Sequence, residues 1–378
     1  MINRRRISIA TGLAAVAGFP AVRAQSGGKI VLGQSAALTG PAAQLGIQYA
    51  QGAKLVFDQV NAQGGVDHRL IELRTLDDGY EPDRCLDNTR KLLAADALAL
   101  FGYVGTPTSL AALPLATQAK TPFVAPLTGA MALREPFNKY AFHVRASYQD
   151  ETALIVKQLT QLGLDRIAVF YQNDAYGKAG LDGVTLALSK QGRKPVALTT
   201  VERNSVDVAA AAKALRAAEP QAIVQISAYT SCAALIRAAR KLGYGGQFFN
   251  VSFVGTQALS DELGKDAAGI VVSQVMPSPY SAASPLARGL AEAVKAAGGT
   301  AQANFSSIEG YLAAKVLVDG LRRASAAKTL NSEGLVAGLE SLGAQSYGCF
   351  AVKLSATDHV GSSFVDLSML TGDGRIRM

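Results

Sequence analysis

The sequence has few of the residues from which metal centres and disulfide frameworks are built. Only three of its 378 residues are cysteines, at Cys85, Cys232 and Cys349, and three are histidines. The cysteines are far apart, and neither a Cys-x-x-Cys pair nor a Cys/His pair has the spacing of a zinc site. One disulfide would still leave a free thiol, and buried small apolar side chains are the favoured interpretation. The sequence therefore predicts no metal site.

Catalytic and nucleotide-binding motifs are missing as well. The sequence contains no Gly-x-Gly-x-x-Gly fingerprint, no phosphate-binding Gly-rich loop with Gly-Lys-Ser/Thr, no Gly-x-Ser-x-Gly elbow and no His-Glu-x-x-His pair. His68, His143 and His359 each lie in a polar loop or strand without a partner motif, which favours structural roles. We therefore expect no catalytic residue and no cofactor, and a secreted α/β hydrolase is the weakest alternative.

Charge and hydropathy exclude further classes of protein. With 49% hydrophobic and 17% charged residues, the chain is too apolar for a disordered protein. The formal charge of +8 falls to +4 without the four arginines of residues 1–24, and no run of five like charges occurs. Because no basic stripe is visible, a nucleic-acid partner is not expected. After residue 24, no apolar run approaches the length of a membrane span.

Residues 1–24 have the pattern of a cleavable secretory signal peptide. A basic head, Arg4–Arg6, precedes the apolar stretch Ile7–Phe19, and Val22–Ala24 has the small residues of a cleavage site. The arginines also resemble a twin-arginine signal, so the general secretory route and the twin-arginine route both stay open. The pattern predicts an exported protein.

Strand-like and helix-like patterns alternate along the rest of the chain. The strand pattern Lys29–Ser35 precedes the helical stripe Gly46–Gln63, and the rhythm restarts near residue 150 with the strand Arg166–Gln172 and the helix Gly177–Gln191. This order predicts an α/β fold with two doubly wound lobes, each a parallel sheet covered by helices. Late helical patterns between residues 285 and 341 precede a β-rich tail and are predicted to return to the first lobe.

In such sheets, ligands bind where strands end and helices begin. After the strand pattern Ala97–Val104, Thr106 is expected to cap a helix whose first residue is Pro107. Free N–H groups, the Thr106 hydroxyl and the helix dipole would together seat a carboxylate. Loops with hydroxyl, tyrosine and amide groups but no general base follow other strands, which favours binding over catalysis. Asp77 and Asp78 are interpreted as capping and turn-forming residues of the next helix.

The order of several short motifs indicates a family resemblance. These motifs are KIVLGQSAALTGPAAQLG, NAQGGV, DDGYEP, FGYVGTPTS, PFVAPLTGA, RIAVFYQNDAYG and FVDLSMLTGDG. Over essentially its whole mature length, the chain resembles the leucine/isoleucine/valine-binding proteins, the solute-binding components of ABC importers with the type I periplasmic binding fold. The resemblance implies a periplasmic monomer that closes on a small ligand like a Venus flytrap and then meets the importer's membrane permease subunits.

The resemblance also implies two lobes joined by a hinge of three crossing segments. These segments are expected near residues 146–149, 275–279 and 354–360. The expected lobes are residues 26–147 with 278–355 for the first, and 148–277 with 356–378 for the second.

Several residues stand at ligand-binding positions of the family. Thr106 matches a hydroxyl that holds a ligand carboxylate, Leu127 matches a position where a backbone group binds, and Tyr176 matches a pocket tyrosine of the second lobe. Tyr229 lies within one residue of another pocket tyrosine. The candidate ligand-binding residues are Leu45, Tyr103, Gly105, Thr106, Leu127, Thr128, Gly129, Tyr176, Tyr229, Ser252 and Phe253.

Three positions depart from the family pattern. Gly129 replaces a hydroxyl residue, although Thr128 is adjacent, and Leu45 replaces a pocket tyrosine. Ser252 stands where amino-acid binders have a glutamate for the ligand's ammonium group. A buried ammonium without a counter-charge is costly, so either another acid such as Asp78 serves, or the ligand has no amine.

A further departure concerns the family's cross-linked cysteine pair, whose positions are occupied by Tyr80 and Gly105, so that bridge is absent. The sequence as a whole predicts a non-enzymatic solute-binding protein for a branched or apolar amino acid or a small organic acid, including an aromatic one. A ligand sensor of the same fold that acts on a signalling partner is the alternative.

Overall fold

The computed structural model describes residues 28–348 and 350–378 of the protein. The predicted signal peptide, residues 1–24, and Cys349 lie outside the described residues. The described chain forms two separate sheets with helices against them, and a short two-stranded hairpin.

The elements follow one another in an alternating order over most of the chain. The strands are β1 Ile30–Ala36, β2 Ile71–Asp77, β3 Ala99–Phe101, β4 Phe123–Val124, β5 Ala141–Phe142, β6 Ile167–Gln172, β7 Ala197–Val201, β8 Ala222–Ile226, β9 Gln247–Asn250, β10 Val271–Gln274, β11 Gly343–Tyr347, β12 Phe350–Leu354, β13 Asp366–Leu370 and β14 Ile376–Arg377. The α-helices are α1 Ala43–Ala62, α2 Pro82–Ala94, α3 Thr106–Gln118, α4 Tyr148–Gln161, α5 Ala175–Ser189, α6 Ala209–Ala218, α7 Tyr229–Lys241, α8 Thr256–Leu263, α9 Pro285–Ala296, α10 Phe305–Ala326 and α11 Ser332–Glu340.

The first sheet is parallel throughout and has the strand order β2-β1-β3-β4-β5. Its central strands are buried, as expected when helices cover both faces of a parallel sheet. The late helix α10 packs along α1, and α11 packs on α10, so the chain returns to this sheet after the second one.

The second sheet has the order β14-β13-β10-β9-β8-β6-β7. The strands from β7 to β10 are parallel, whereas β13 and β14, which come from the C-terminal tail, add to the edge in antiparallel pairing. Antiparallel extension needs only a short connection, so a short tail can complete the sheet.

The chain passes between the two sheets three times: between β5 and α4, between β10 and α9, and between β12 and β13. The first and third passages are bonded to each other. The His143 N–H donates to the His359 carbonyl at 2.8 Å, and the Gly361 N–H donates to the His143 carbonyl at 2.7 Å. These bonds join two of the three connecting segments into one unit.

The predicted α/β architecture with two doubly wound lobes is confirmed, but three elements were not predicted. Strand β5 has two residues and β11 has no regular alternation of apolar residues, so neither carries a periodic signal. Helix α8 has eight residues and follows Gly255 directly. Short elements of this kind are defined by tertiary contacts more than by their own sequence.

None of the helices among the described residues combines the length and the apolar character needed to cross a membrane.

Candidate functional site

The two sheets face each other across a cleft, and side chains from both sides meet in it. Loops after β2 and β7 are bonded across the cleft: Arg203 Nη2 lies 2.8 Å from Glu81 Oε2, and Asn204 Nδ2 donates to the Gly79 carbonyl at 3.0 Å. Nearer α1, the Thr230 hydroxyl donates to the Pro41 carbonyl at 3.3 Å. The cleft is therefore closed in this arrangement.

A small cavity remains in the cleft. It is lined by Leu45, Leu127, Ser252, Phe253, Gln274, Val275, Met276, Phe305, Ser306 and Glu309. Its volume of about 10 Å³ holds about one water molecule. A ligand of amino-acid size therefore needs the two sides to move apart before it can enter.

Two threonine hydroxyls form a buried pair at the end of the first sheet. Thr106 Oγ1 lies 2.7 Å from Thr128 Oγ1, and both residues are fully buried. The expectation that Thr106 caps α3 was wrong. Gly105 is the capping residue and has φ +99° and ψ +156°, a conformation open essentially to glycine alone, so α3 begins at Thr106. The Thr106 hydroxyl is thereby directed to Thr128 and not to its own helix.

Tyr80 and Gly105, at the positions of the family's cysteine pair, are in direct contact. A Cβ atom on Gly105 would lie 2.2 Å from Cε2 of the Tyr80 ring. Tyr80 itself has a left-handed backbone, with φ +64°. The glycine provides the space that the tyrosine ring occupies, so a packing contact joins the two positions at which the family resemblance implies a disulfide.

The missing hydroxyl at Gly129 also has a steric reason. A Cβ atom on Gly129 would lie 2.6 Å from the Tyr148 backbone nitrogen and 2.7 Å from its ring. Tyr148 is held there because its N–H donates to the Gly129 carbonyl at 2.8 Å. The Ser147–Asp150 capping box starts helix α4 at this point and fixes the tyrosine. Tyr148 therefore occupies the space that a side chain at position 129 would need.

An aromatic row crosses the cleft. Tyr80 packs on Phe253, Phe253 on Tyr176 and Tyr176 on Tyr148, with ring centroids 5.9, 4.6 and 5.4 Å apart. Asp174 caps α5 and so positions Tyr176 at the start of that helix. Within residues 28–348 and 350–378, the hydroxyls of Tyr148 and Tyr176 are buried and have no hydrogen-bond partner. Buried hydroxyls without a partner are uncommon, and these two lie in the cleft.

The charged centre of the cleft is Arg145, which lies on the first connecting segment. Its Nη2 is 3.4 Å from Glu151 Oε1 and its Nη1 is 3.5 Å from Glu309 Oε1, and it also contacts the Ser252 hydroxyl. Glu151 belongs to the second side of the cleft and Glu309 to α10 on the first. A fully buried guanidinium thus pairs with one carboxyl group from each side.

The two carboxyl groups differ in their bonding. Glu151 Oε2 accepts from the Ser252 N–H at 2.7 Å and from the Ser273 hydroxyl at 2.6 Å. Glu309 lines the cavity, and no residue in the described part of the chain donates a hydrogen bond to its carboxyl group. Burial raises the pKa of Glu309 from 4.5 to about 7, although Arg145 opposes the shift.

This pKa predicts a pH-dependent stability. The folded protein holds a proton on Glu309 between about pH 4.5 and pH 7, where the unfolded chain releases it, so the free energy of unfolding falls as pH rises through this window. The free energy of unfolding of wild type is expected to fall by about 1–3 kcal/mol more between pH 5 and pH 8 than that of Glu309→Gln, because glutamine does not titrate. Urea unfolding of both proteins at the two pH values measures the difference, and an equal pH dependence would contradict it.

Two candidate residues lie away from this group. The Tyr103 ring packs on Phe123 under α2 and α3, and its hydroxyl lies 3.1 Å from that of Thr89, on the other face of the first sheet. Tyr229 lines a separate surface depression with Gln44 and Gln48. The structure therefore does not bring either tyrosine to the cavity.

Asp77, the last residue of β2, and Asp78 form turns, as predicted, but the prediction that they cap the next helix was wrong. Asp78 accepts from the Ser35 hydroxyl at 2.7 Å and the Tyr80 N–H at 2.8 Å, and burial raises its pKa to about 6. Asp77 accepts from the backbone of Leu38 and forms a turn. Neither caps α2, because Glu81 is the residue that precedes it. Asp78 does not reach the cavity.

Sequence reasoning missed Arg145, Tyr148, Glu151 and Glu309. Charged residues are rarely fully buried unless they are paired, but no local pattern marks which ones will be. Glu309 follows the helix start at Asn304 by little more than one turn, and this spacing could have placed it near the strand ends. No group of three potential metal ligands occurs in the part of the chain that the structure describes.

The sequence and the fold of this chain are similar to those of known proteins. A family model described as periplasmic binding protein matches residues 29–374. The chain is 23% identical over 354 residues, 87% of each chain, to the Leu/Ile/Val-binding protein homolog 7 of Brucella abortus. It is also similar to the crystal structure of a possible leucine/isoleucine/valine-binding protein from Rhodopirellula baltica, with 34% identity, a TM-score of 0.85 and coverage of 93% and 96% of the two chains.

A second solved structure, a substrate-binding periplasmic protein from Ralstonia solanacearum, has 30% identity, a TM-score of 0.86 and coverage of 92% and 99%. The family match spans most of the chain, and the TM-scores show that both solved structures share its fold. The chain therefore belongs to the periplasmic binding protein family and is a type I periplasmic binding protein of the leucine/isoleucine/valine-binding type.

Proposed function

We propose that the protein is the periplasmic solute-binding component of an ABC importer, and that it captures a small carboxylate-bearing ligand between its lobes. The observation that carries this proposal is the buried Thr106–Thr128 hydroxyl pair, which adjoins the cavity through Leu127. Hydroxyls beside a helix start suit a carboxylate, because the first N–H groups and the helix dipole favour a negative charge.

The shape of the cavity supports a ligand with an apolar body. Six of its ten lining residues are apolar: Leu45, Leu127, Phe253, Val275, Met276 and Phe305. Two of the similar proteins bear names that refer to leucine, isoleucine and valine. Within the carboxylate class, these features favour a branched or apolar amino acid or an organic acid of similar size.

Ligand capture is proposed to work by hinge closure. The lobes are residues 26–147 with 278–355 and residues 148–277 with 356–378, and the cross-cleft bonds of Arg203 and Asn204 hold the closed form. A ligand that contacts both lobes favours closure by its differential affinity for the closed form. The closed shape is then the form that the permease subunits recognise, and the protein acts as a monomer without catalysis.

A thermal-shift panel tests the proposal. The protein without residues 1–24 is heated with branched-chain amino acids, their keto acids and aromatic carboxylates. A ligand at a thousand times its dissociation constant stabilises the folded state by about 4 kcal/mol, which gives a clear rise in melting temperature. At least one of these small carboxylates is expected to produce it. If no compound raises the melting temperature, the proposed ligand class is wrong.

The variant Thr106→Val tests the proposed carboxylate-binding position at Thr106 and Thr128. The change removes one hydroxyl of the buried pair and is expected to weaken binding of the active compound by about 1–3 kcal/mol. Thr160→Val is the matched control, since its hydroxyl bonds only to carbonyls of its own helix. Titration calorimetry measures both. Equal affinities for wild type and Thr106→Val would place the carboxylate elsewhere.

A further inference from the structure

We propose that Arg134 is a positioning residue that makes the ligand site select an anionic group without touching the ligand. Its side chain lies behind the loop of residues 128–130, which carries one hydroxyl of the Thr106–Thr128 pair. The inference rests on the proposed function and adds to it the source of the positive charge that a buried carboxylate needs.

Two arginines, Arg134 and Arg145, are buried in the part of the chain that the structure describes. Arg145 lies against the carboxyl groups of Glu151 and Glu309, so these groups oppose its charge. Arg134 forms no ion pair within residues 28–348 and 350–378, and its guanidinium bonds to backbone carbonyls instead. Burial lowers the pKa of Arg134 to about 10, so the group is still charged at neutral pH.

Backbone carbonyls from two segments hold the Arg134 guanidinium in place. Its Nη1 donates to the Ala130 carbonyl at 3.0 Å, and its Nη2 donates to the Arg145 carbonyl at 3.1 Å. Both nitrogens also lie 3.4 Å from the Thr128 carbonyl oxygen. Because the bonds reach both the loop and the first connecting segment, the position of the cation relative to the loop is fixed.

The peptide group between Thr128 and Gly129 connects the cation with the other side of the loop. The C=O and N–H groups of a trans peptide point in opposite directions, so the Gly129 N–H faces away from Arg134. Gly129 is buried, and no residue in the described ranges accepts a hydrogen bond from its N–H. Buried N–H groups are nearly always paired, so this one is available to a ligand oxygen.

A cation behind this peptide group favours an anion in front of it. The guanidinium polarises the Thr128 carbonyl, and hydrogen bonds in a chain strengthen one another, so the Gly129 N–H becomes a better donor. In a desolvated site of low dielectric, the charge also attracts a ligand carboxylate directly. An uncharged ligand gains much less from either effect. Arg134 thus determines the charge of the ligand, while Thr106 and Thr128 contact it.

The test compares carboxylates with their amides by titration calorimetry at pH 6.5. The pairs are leucine and leucinamide, 4-methyl-2-oxopentanoate and 4-methyl-2-oxopentanamide, and 3-phenylpropanoate and 3-phenylpropanamide. We expect wild type to bind at least one carboxylate about a hundredfold more tightly than its amide, because hydrogen bonds to an ionised acceptor are the stronger ones. This measurement uses the wild-type protein and does not depend on the folding of a variant.

Arg134→Met and Arg134→Lys then identify the residue, with Arg166→Met as the control. The Arg166 guanidinium likewise bonds to carbonyls, those of Ala218 and Glu219, but it is exposed next to β6. Arg134→Met is expected to reduce the preference for carboxylate over amide about tenfold. Arg134→Lys, which retains a cation, and Arg166→Met are expected to retain the preference. A role in stability alone would weaken both members of a pair equally.

The failures are distinguishable. Three results overturn the role of Arg134 and leave the proposed capture of a small solute standing: equal binding of acid and amide by wild type, an unchanged preference in Arg134→Met, or the same loss in Arg134→Lys as in Arg134→Met. Binding of no compound in any pair overturns the proposed function, and the inference with it.

Discussion

Replacing Arg145 by methionine is expected to lower the free energy of unfolding by about 3–5 kcal/mol at pH 8. The arginine is fully buried and pairs with Glu151 and Glu309, so its removal leaves two carboxyl groups in a desolvated centre without a cation. The loss is expected to be smaller at pH 5, because Glu309, whose pKa is about 7, is then protonated and uncharged. Urea unfolding at both pH values measures the effect.

Two further variants separate the loss of pairing from the loss of packing. Lys139→Met removes an exposed cation paired with Glu333 and is expected to change the free energy of unfolding far less, because solvent screens an exposed ion pair. In the Arg145→Met protein, additional Glu151→Gln and Glu309→Gln changes remove the unpaired charges and should restore part of the stability. If Arg145→Met is no more harmful than Lys139→Met, the buried charge cluster does not exist as described.

Gly105→Ala is expected to destabilise the protein by about 2–4 kcal/mol and to weaken ligand binding. Two costs combine here: the backbone has φ +99°, which L-residues adopt only with strain, and the new Cβ would lie 2.2 Å from the Tyr80 ring. Either Tyr80 or the start of α3 has to shift. Thr106 is the next residue, so a shift of the helix start also moves the hydroxyl that is proposed to bind the ligand carboxylate.

Gly64→Ala provides a matched control, since Gly64 has φ +97° and nothing lies within 4 Å of the place that a Cβ atom would take there. It isolates the backbone cost, about 1–2 kcal/mol, from the clash. Thermal unfolding of both variants gives the comparison. Equal losses in the two would show that the Tyr80 ring does not need the space at Gly105.

The sequence predicted the architecture well because parallel sheets impose a strong pattern. Buried strands such as β8 are apolar in four of five residues, and many of the helices between the strands have an apolar stripe. The same reasoning missed β5, which has two residues, and α8, which has eight. Short elements carry too few periods for a pattern to be recognised.

The candidate site was predicted less completely, because its contacts join distant segments. Thr106, Thr128, Tyr176 and Phe253 each follow a strand end, which sequence alone indicates. Arg145 pairs with Glu309 across 164 positions of sequence, and nothing local marks either residue.

One pairing was visible in the sequence but was not interpreted. Tyr80 and Gly105 depart together from the family's cysteine positions, and two residues that replace a disulfide should still be neighbours. A large ring opposite the smallest residue is what close packing at such a position requires. The joint departure could therefore have predicted this contact.

The most direct test is a crystal structure of the protein with the compound from the thermal-shift panel that raises the melting temperature most. The expected result is a protein closed around the ligand, with a cleft cavity larger than the present one of about 10 Å³. In it the ligand carboxylate lies within hydrogen-bond distance of Thr106 Oγ1 and the first N–H groups of α3, and the apolar body contacts Leu45 and Phe253. The contradictory result is a ligand bound outside the cleft, for example beside Phe350 and Phe364 in the cavity near the connecting segments.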